Sequence, residues 1–293
     1  MCRIVIFFRC WVMRLEKRFR LFGTRRAILW TSGVKSMTTK RWEQGELICR
    51  LKEIIGTSRR IVFFGGAGVS TASGIPDFRS RDGLYAEEEN GLSPEMVLSK
   101  SFFYLQTEMF FDYYRKHMLY PEAKPNAAHR YLYELEKQDK LRGIVTQNID
   151  GLHRAAGNIR VYELHGNVHE NYCTECNAAY PMEKILQSDG IPRCECGGVI
   201  KPNVVLYGEA LEKYVCIGAR REITNADTLI VAGTSLCVEP AASFTEDFRG
   251  KHLIVINREA TPADERAELV IHEDVAEVFE ILGERTLSST EGS

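Results

Sequence analysis

Residues 60–80 read RIVFFGGAGVSTASGIPDFRS, and this stretch decides the fold class. An apolar strand, Arg60–Phe64, runs into Gly66-Ala67-Gly68, where the backbone can approach a phosphate group at the start of a helix. A mere tight turn is the alternative, because Thr71 replaces the third glycine of the dinucleotide fingerprint. The GIPDFR that follows combines a fixed turn, a carboxylate, an aromatic ring and a guanidinium. Such a combination indicates a loop folded over a ligand.

Five further apolar runs have the length of strands, and they are continuous rather than alternating, as in parallel strands covered on both faces. They are Gly143–Thr146, Val161–Leu164, Thr228–Ala232, Leu253–Asn257 and Glu268–Ile271. Helical stretches such as Ala127–Lys137 and Tyr214–Asn225 lie between them. This alternation predicts an α/β fold built on a Rossmann-like, doubly wound parallel sheet.

Four of the nine cysteines have the spacing of a metal site. Two close pairs, Cys173 with Cys176 and Cys194 with Cys196, are separated by 17 residues, which is typical of a four-thiolate zinc site. The second pair is one residue shorter than C-x-x-C, and Gly197-Gly198 can supply the backbone freedom that it needs. Four thiolates fill the tetrahedral shell, so we expect a structural zinc with no position open for a reacting water.

Two segments interrupt the alternation of strands and helices. Residues 87–120 are rich in Phe, Tyr and Met at helical spacing, which favours packed helices over a cofactor-binding box. Residues 170–205 hold the cysteines, and we expect both segments to form one small helical and zinc-ribbon domain. A Rossmann-like domain would take residues 41–86, 121–169 and 206–283, and a disordered tail would take residues 284–293.

Polar residues follow the second strand at the edge where open α/β sheets bind ligands. In Thr146–His153 (TQNIDGLH), the amides of Gln147 and Asn148 stand beside the carboxylate of Asp150. Such a group can bind a neutral carboxamide like that of nicotinamide, because the carboxylate accepts a hydrogen bond from the NH₂ group of the carboxamide. A polar turn that caps the next helix is the alternative.

Three more strands end in polar residues at the same edge. His165 follows Val161–Leu164, and an imidazole that titrates near neutrality suits a general base, although a lone histidine is more often structural. Gly233-Thr234-Ser235 and Asn257-Arg258 can donate hydrogen bonds to phosphate and ribose hydroxyls. Either of the last two alone is also compatible with an ordinary turn at the end of a strand.

Charge separates the first 40 residues from the rest of the chain. They carry ten Lys or Arg and one acidic residue, Glu16, whereas 28 of the 38 basic and 39 of the 40 acidic residues follow them. The acidic body argues against direct binding of nucleic acid. No apolar run approaches the roughly 20 residues that span a bilayer. We therefore expect a soluble, cytoplasmic protein without a membrane partner, in a reducing compartment.

Residues 1–40 form a basic N-terminal extension that we expect to lie outside the fold. The favoured interpretation is a wrong start codon, with Met37 as the true start, because the first amphipathic helix begins only near Arg41. An organelle-targeting segment and a membrane-surface helix are the alternatives.

Taken together, GAGVSTASGIPDFR, TQNIDGLH, ELHGN, the four cysteines, KPNVVLYGE, GTSL and VIN resemble the sirtuin family, in the family's order over about residues 45–283. The resemblance is closest to the compact prokaryotic-type deacetylases, whose second cysteine pair can also be shortened. It implies an NAD-dependent protein-lysine deacetylase. In such an enzyme the acyl oxygen attacks C1′ of the ribose as nicotinamide leaves, and a ribose hydroxyl then takes over the acyl group. The products are free lysine, nicotinamide and O-acyl-ADP-ribose.

The resemblance also implies roles for single residues. His165 would act as general base on the ribose hydroxyls, and Asn148 and Gln147 would position the ribose and a water. Val204, Val205 and Tyr207 would flank the acyl-lysine, with the peptide added as a strand. The remaining NAD-binding residues would be Gly66, Ala67, Thr71, Asp77, Phe78, Arg79, Ile149, Asp150, Gly233, Thr234, Ser235, Asn257 and Val275.

The sequence after GIPDFR bears on the acyl group. Family members that remove succinyl or malonyl groups resemble each other in a Tyr-x-x-Arg, whereas here Tyr85 is followed by Glu88 in an acidic run. We therefore expect acetyl or other neutral acyl groups on protein or peptide substrates, and a monomer. An ADP-ribosyltransferase or NAD glycohydrolase using the same pocket is a competing hypothesis. A non-catalytic zinc-ribbon module that binds nucleic acid or protein is another.

Overall fold

The computed structural model describes residues 44–77 and 91–287. The N-terminal extension, Phe78, Arg79, Tyr85 and Glu88 lie outside the described residues. The helices are α1 (Gln44–Thr57), α2 (Pro94–Val97), α3 (Lys100–Leu105), α4 (Thr107–His117), α5 (Ala127–Lys137), α6 (Leu152–Ala155), α7 (Met182–Leu186), α8 (Lys213–Asn225) and α9 (Val275–Leu287). The strands are β1 (Ile61–Gly65), β2 (Leu141–Thr146), β3 (Val161–Glu163), β4 (Gly166–Cys173), β5 (Ala179–Tyr180), β6 (Ile200–Val204), β7 (Thr228–Ala232), β8 (His252–Ile256) and β9 (Leu269–Ile271).

The main sheet is parallel and has six strands in the order β3-β2-β1-β7-β8-β9. All five residues are buried in each of the strands β1, β7 and β8, because helices cover the sheet on both faces. The order reverses between β1 and β7, which places a crevice at the carboxyl ends of these two strands. The prediction of a doubly wound, Rossmann-like sheet is therefore confirmed.

A second, antiparallel sheet of three strands, β5-β4-β6, lies beyond the end of β3. The helices α2–α4 pack an aromatic cluster against it, in which Phe103 contacts Phe110 edge to face with ring centroids 5.0 Å apart. Within the described residues 91–120, the aromatic spacing thus produces packed helices, as predicted. No helix in the described part of the chain is long and apolar enough to cross a membrane.

Two details differ from the expectations. The turn after β1 leads into two short 3-10 turns, Ala67–Val69 and Thr71–Ser73, rather than into an α-helix. Glycine, serine and threonine are weak helix formers, and Gly74 (φ 83°) ends the segment in the left-handed region. In addition, α9 continues to Leu287 and so includes the first residues of the segment expected to be a disordered tail.

Backbone packs directly on backbone where β1 and β7 end. The amide of Gly68 donates to the carbonyl of Gly233 at 2.9 Å, and that of Gly66 donates to the carbonyl of Ala232 at 3.1 Å. A Cβ atom on Gly68 would lie 2.8 Å from Cα of Gly233, and one on Gly66 would lie 2.7 Å from Cβ of Thr234. Both distances are shorter than real contacts, so each turn can take its place only without a side chain.

This contact predicts a large difference between two Gly→Ala variants. Gly68→Ala should lower the free energy of unfolding by about 1–3 kcal/mol, because the new methyl group collides with the backbone at Gly233. Gly283→Ala is the matched control: it lies within α9 with no atom near its added methyl group, and it should stabilise by about 0.5–1 kcal/mol. Urea unfolding measures both values, and equal stability of the two variants would contradict the contact.

Candidate functional site

A cleft of about 380 Å³ opens at the carboxyl edge of the main sheet. Segments that follow β1, β2, β3, β7, β8 and β9 contribute to its walls, together with the end of β6. The sequence-predicted site residues that line it are Ala67, Thr71, Asp77, Gln147, Asn148, Ile149, His165, Val204, Val205, Tyr207, Gly233, Thr234, Ser235, Asn257 and Val275. Residues from distant parts of the chain thus meet in one cleft, because parallel strands end at the same edge.

Two predicted residues lie elsewhere. Gly66 does not line the cleft but packs beneath it against Thr234. Asp150 lines a smaller neighbouring cavity of about 40 Å³, which shares Ala67, Asn148 and Ile149 with the main cleft. The cleft therefore continues into a small side pocket with a carboxylate in its wall.

The ring of His165 is held by the main chain of the preceding strand end. Its Nδ1 lies 2.8 Å from the carbonyl oxygen of Gln147, so in the tautomer that donates this bond Nε2 is left as a proton acceptor. Burial lowers the pKa of His165, and the hydrogen bond to Gln147 opposes that shift. A neutral imidazole with a fixed tautomer is the form that a general base requires.

Ser70 connects the turn after β1 to the turn after β2. Its hydroxyl donates to Asp150 at 2.7 Å and accepts from the amide of Asn148 at 3.0 Å. Burial raises the pKa of Asp150, while hydrogen bonds from the amide of Leu152 and from Ser70 act in the opposite direction. This bridge fixes both side chains before any ligand enters.

The side-chain amide of Gln147 is only half satisfied by the described residues. Its Oε1 accepts from the hydroxyl of Thr234 at 3.3 Å, whereas its buried Nε2 has no hydrogen-bond partner among the described residues. A buried donor without a partner costs free energy until a ligand or water accepts its proton. This free donor can bind an oxygen of a sugar-phosphate ligand such as NAD, and the glycine turns allow the backbone to approach its phosphates.

The end of β6, an edge strand of the second sheet, also lines the cleft. The amide of Val205 donates to the carbonyl of His165 at 2.9 Å, which joins this strand to the histidine. Gly166 (φ 72°) permits the junction, because a Cβ there would lie 1.9 Å from the carbonyl oxygen of Asn203. A strand at the edge of a sheet is a surface on which an extended peptide can add.

A partly buried ion pair supports the segment that leaves β6. Nζ of Lys201 lies 3.1 Å from a carboxylate oxygen of Glu209 and also donates to the carbonyl of Val204 at 3.2 Å. The same carboxylate accepts from the amide of Leu206 at 3.0 Å. The ends of KPNVVLYGE are therefore clamped to each other, and the valines between them are held at the cleft.

Sequence reasoning missed three polar residues of this site: Ser70, Lys201 and Asn126. The side-chain amide of Asn126 donates to the carbonyl of Val69 at 2.7 Å and to Ser73 at 3.0 Å, which fixes the turn after β1. A helix-capping pattern could have indicated Asn126, because it directly precedes α5. No sequence signal distinguishes Ser70 from Thr71 as the bridging hydroxyl.

The four predicted zinc ligands converge in the second sheet, and none of them lines the cleft. Their Sγ atoms all lie within 4.8 Å of one another, and Cys173 is 3.5 Å from Cys196. A tetrahedral zinc with bonds of about 2.3 Å separates its sulfur atoms by about 3.8 Å, so the donor set has the required size. A Cβ atom at position 198 would lie 2.6 Å from Sγ of Cys173, so glycine is the residue that fits there.

Comparison with known proteins agrees with this geometry. The sequence model of the Sir2 family matches residues 66–240. A relative from Clostridium perfringens, an NAD-dependent protein deacetylase, is 53% identical over 235 residues, which cover 79% of this chain and 96% of the relative. The match includes nearly all of the relative, so the similarity is not confined to one module.

Two solved Sir2 structures share the fold. One holds a deacetylated p53 peptide and 3′-O-acetyl ADP ribose; its TM-score is 0.74 at 37% identity, covering 81% of this chain and 98% of that one. The other holds a p53 peptide and NAD⁺, with a TM-score of 0.71 at 37% identity over 81% and 97% of the two chains. The chain belongs to the Sir2 family, the sirtuins.

Proposed function

We propose that this protein removes acetyl groups from lysine side chains of proteins and consumes NAD in doing so. Acetyl-lysine, NAD and water are converted to lysine, nicotinamide and O-acetyl-ADP-ribose. The observation that carries the proposal is that His165 lines the same cleft as the glycine turns that follow β1 and β7 and the end of the edge strand β6. A nucleotide and an extended peptide can therefore both reach His165, the proposed general base.

In this proposal each group of cleft residues has its own role. The glycine turns, with Thr234, Ser235, Asn257 and Val275, hold the nucleotide, and the side pocket beside Asp150 takes the nicotinamide ring. Neutral His165 accepts a proton from a ribose hydroxyl as that hydroxyl attacks, because an uncharged imidazole is available at neutral pH. Gln147 and Asn148 orient the ribose and the water, while Val204, Val205 and Tyr207 hold the acyl-lysine.

The cysteine cluster is proposed to bind one structural zinc through Cys173, Cys176, Cys194 and Cys196. The hydroxyl of Tyr180 donates to Sγ of Cys194 at 3.0 Å and would help to stabilise a thiolate there. When bound, the ion cross-links the ends of β4 and β6 and takes no part in the reaction. We also propose a monomer and a cytoplasmic location; all seven described cysteines are unpaired, which supports a reducing compartment.

The proposal is tested with an acetyl-lysine peptide incubated with and without NAD, with products identified by mass spectrometry. Deacetylated peptide and O-acetyl-ADP-ribose should appear in equal amounts and only with NAD. His165→Ala should lose turnover by several orders of magnitude while its melting temperature stays close to that of the wild type. ADP-ribosylated peptide, or free ADP-ribose without deacetylation, would instead indicate a transferase or a glycohydrolase.

The pH dependence should report the buried base. Because burial lowers the pKa of His165 from 6.5, the acid limb of kcat/KM for the acetyl peptide should have its midpoint below pH 6.5. An acid limb with its midpoint above 6.5 would assign that limb to another group.

Unfolding must be followed over the same pH range as a control. Burial lowers the pKa of His129 to about 4, so as the pH falls below 6.5 the unfolded chain binds protons before the folded one does. Stability therefore decreases toward acid, and rates are compared only where the protein remains folded.

Loss of one cysteine of the cluster should remove the metal. Cys173→Ser is expected to purify without zinc and to fold poorly, because three thiolates cannot close the tetrahedral site. Cys49→Ser is the control, since this exposed cysteine of α1 lies outside the cluster, and it should keep one zinc per chain. Metal content by plasma mass spectrometry decides the matter; a stable, active Cys173→Ser variant without zinc would contradict the site.

A further inference from the structure

His272 follows β9, and the proposed reaction does not use it. Its Nδ1 lies 2.9 Å from the carbonyl oxygen of Asn257, and its Nε2 lies 3.3 Å from a carboxylate oxygen of Asp264. Carbonyl and carboxylate oxygens accept, so the ring donates to Asn257 whenever Nδ1 carries a proton, and the imidazolium form donates to both partners at once. His272 therefore ties the connection between β8 and β9 to the end of β9.

Both main-chain groups of Asn257 are bound by the end of β9. Its amide donates to the carbonyl of Ile271 at 3.0 Å, and its carbonyl accepts from His272. The side chain of Asn257 in turn donates to the carbonyl of Glu259 at 2.7 Å, which closes the turn that follows β8. Asn257, Arg258 and Glu259 all line the cleft, whereas His272 does not. The imidazole thus supports a wall of the cleft without facing the cleft itself.

Two neighbours of His272 anchor it in the fold. Ile271, the last residue of β9, is completely buried. Asp274 caps α9, where one carboxylate oxygen accepts from the amide of Ala276 at 2.8 Å, and its other oxygen pairs with Arg258. The segment after β9 is therefore fixed at both ends, so a residue between these ends can hold a neighbouring turn in place.

The topology assigns one end of the dinucleotide to this wall. The side pocket beside Asp150, which is proposed to take the nicotinamide ring, follows β2. Asn257 follows β8, which is the third strand from β2 in the order β2-β1-β7-β8. Neighbouring strands lie about 4.8 Å apart, so the two positions are separated by about 14 Å across the sheet. An extended NAD spans such a distance, and the end away from the nicotinamide is its adenosine.

We propose that His272 is a positioning residue for the adenosine half of NAD. It acts through the carbonyl of Asn257 and keeps the turn of residues 257–259 in the conformation that receives the nucleotide. This inference rests on the proposed function and names a further residue of the same site. Without the imidazole, the turn loses one of its ties to β9 and has to be ordered when the nucleotide binds. The proposed reacting groups follow β2 and β3, so the loss should weaken nucleotide binding and leave the chemical step unchanged.

The test measures the Kd of ADP-ribose, which keeps the adenosine half and lacks nicotinamide, by titration calorimetry. His272→Ala should raise this Kd about three- to tenfold, because one hydrogen bond that holds the turn is lost. The KM for NAD should rise by a similar factor, whereas kcat and the KM for the acetyl peptide should stay within about twofold of the wild type. His272→Asn should restore most of the affinity, since Nδ2 of asparagine takes nearly the position of Nδ1 of histidine and can donate to the same carbonyl.

His252→Ala provides the matched control. His252 lies at the start of β8, at the opposite end of the strand from Asn257, and its Nδ1 bonds to the carboxylate of Glu268. This variant also loses a histidine contact, but it should bind ADP-ribose with the Kd of the wild type.

An unchanged Kd in His272→Ala would overturn the inference, and so would a Kd in His272→Asn as high as that in His272→Ala. A wild type that does not bind ADP-ribose would overturn it as well. A wild type that binds ADP-ribose, with the expected differences among the variants, but fails to deacetylate the peptide with NAD would refute the proposed function and leave His272 as a nucleotide-positioning residue.

Discussion

The structure depends on the contact of two backbones where neighbouring strands end. Gly66 and Gly68 after β1 pack on Gly233 after β7 at distances that exclude any side chain. The contact lies at the point where the strand order reverses, so the crevice there is walled by main chain. From this point the arrangement extends across the sheet: the amide of Gln147 binds the carbonyl of Gly65, and the carbonyl of Gln147 holds the ring of His165.

The second sheet completes the cleft from the other side. Its first strand, β4, begins directly after His165, and β6 returns so that Val205 binds the carbonyl of the same histidine. The helices α2–α4 add the apolar wall that includes Tyr114 and Met118. The main sheet thus provides the polar half of the site, and the smaller sheet with its helices provides the apolar half.

Sequence reasoning succeeded where a physical pattern is local. The continuous β-branched run of β7 and the capped, amphipathic α5 were predicted to the residue, because composition alone distinguishes them from their flanks. It placed the start of β2 too late, at Gly143 rather than Leu141. A glycine suggests a break in a strand, but here it makes room for the ring of Tyr162, which would lie 3.1 Å from an added Cβ.

The site residues that belong to sequence motifs were easier to predict than the residues that hold them in place. Residues after strand ends follow from the topology, which brings them to one edge. The bridge from Ser70 to Asp150 and the hydrogen bond from Asn126 to Val69 join segments that are distant in sequence. Such pairs depend on tertiary packing, which a single sequence does not encode in any local pattern.

His165 is oriented by a carbonyl of the main chain, whereas the side chain of the same residue, Gln147, projects into the cleft. A substitution of Gln147 therefore affects its side-chain role but not its main-chain role. A substitution at position 147 changes the side chain that lines the cleft but keeps the main-chain oxygen that holds the imidazole in place.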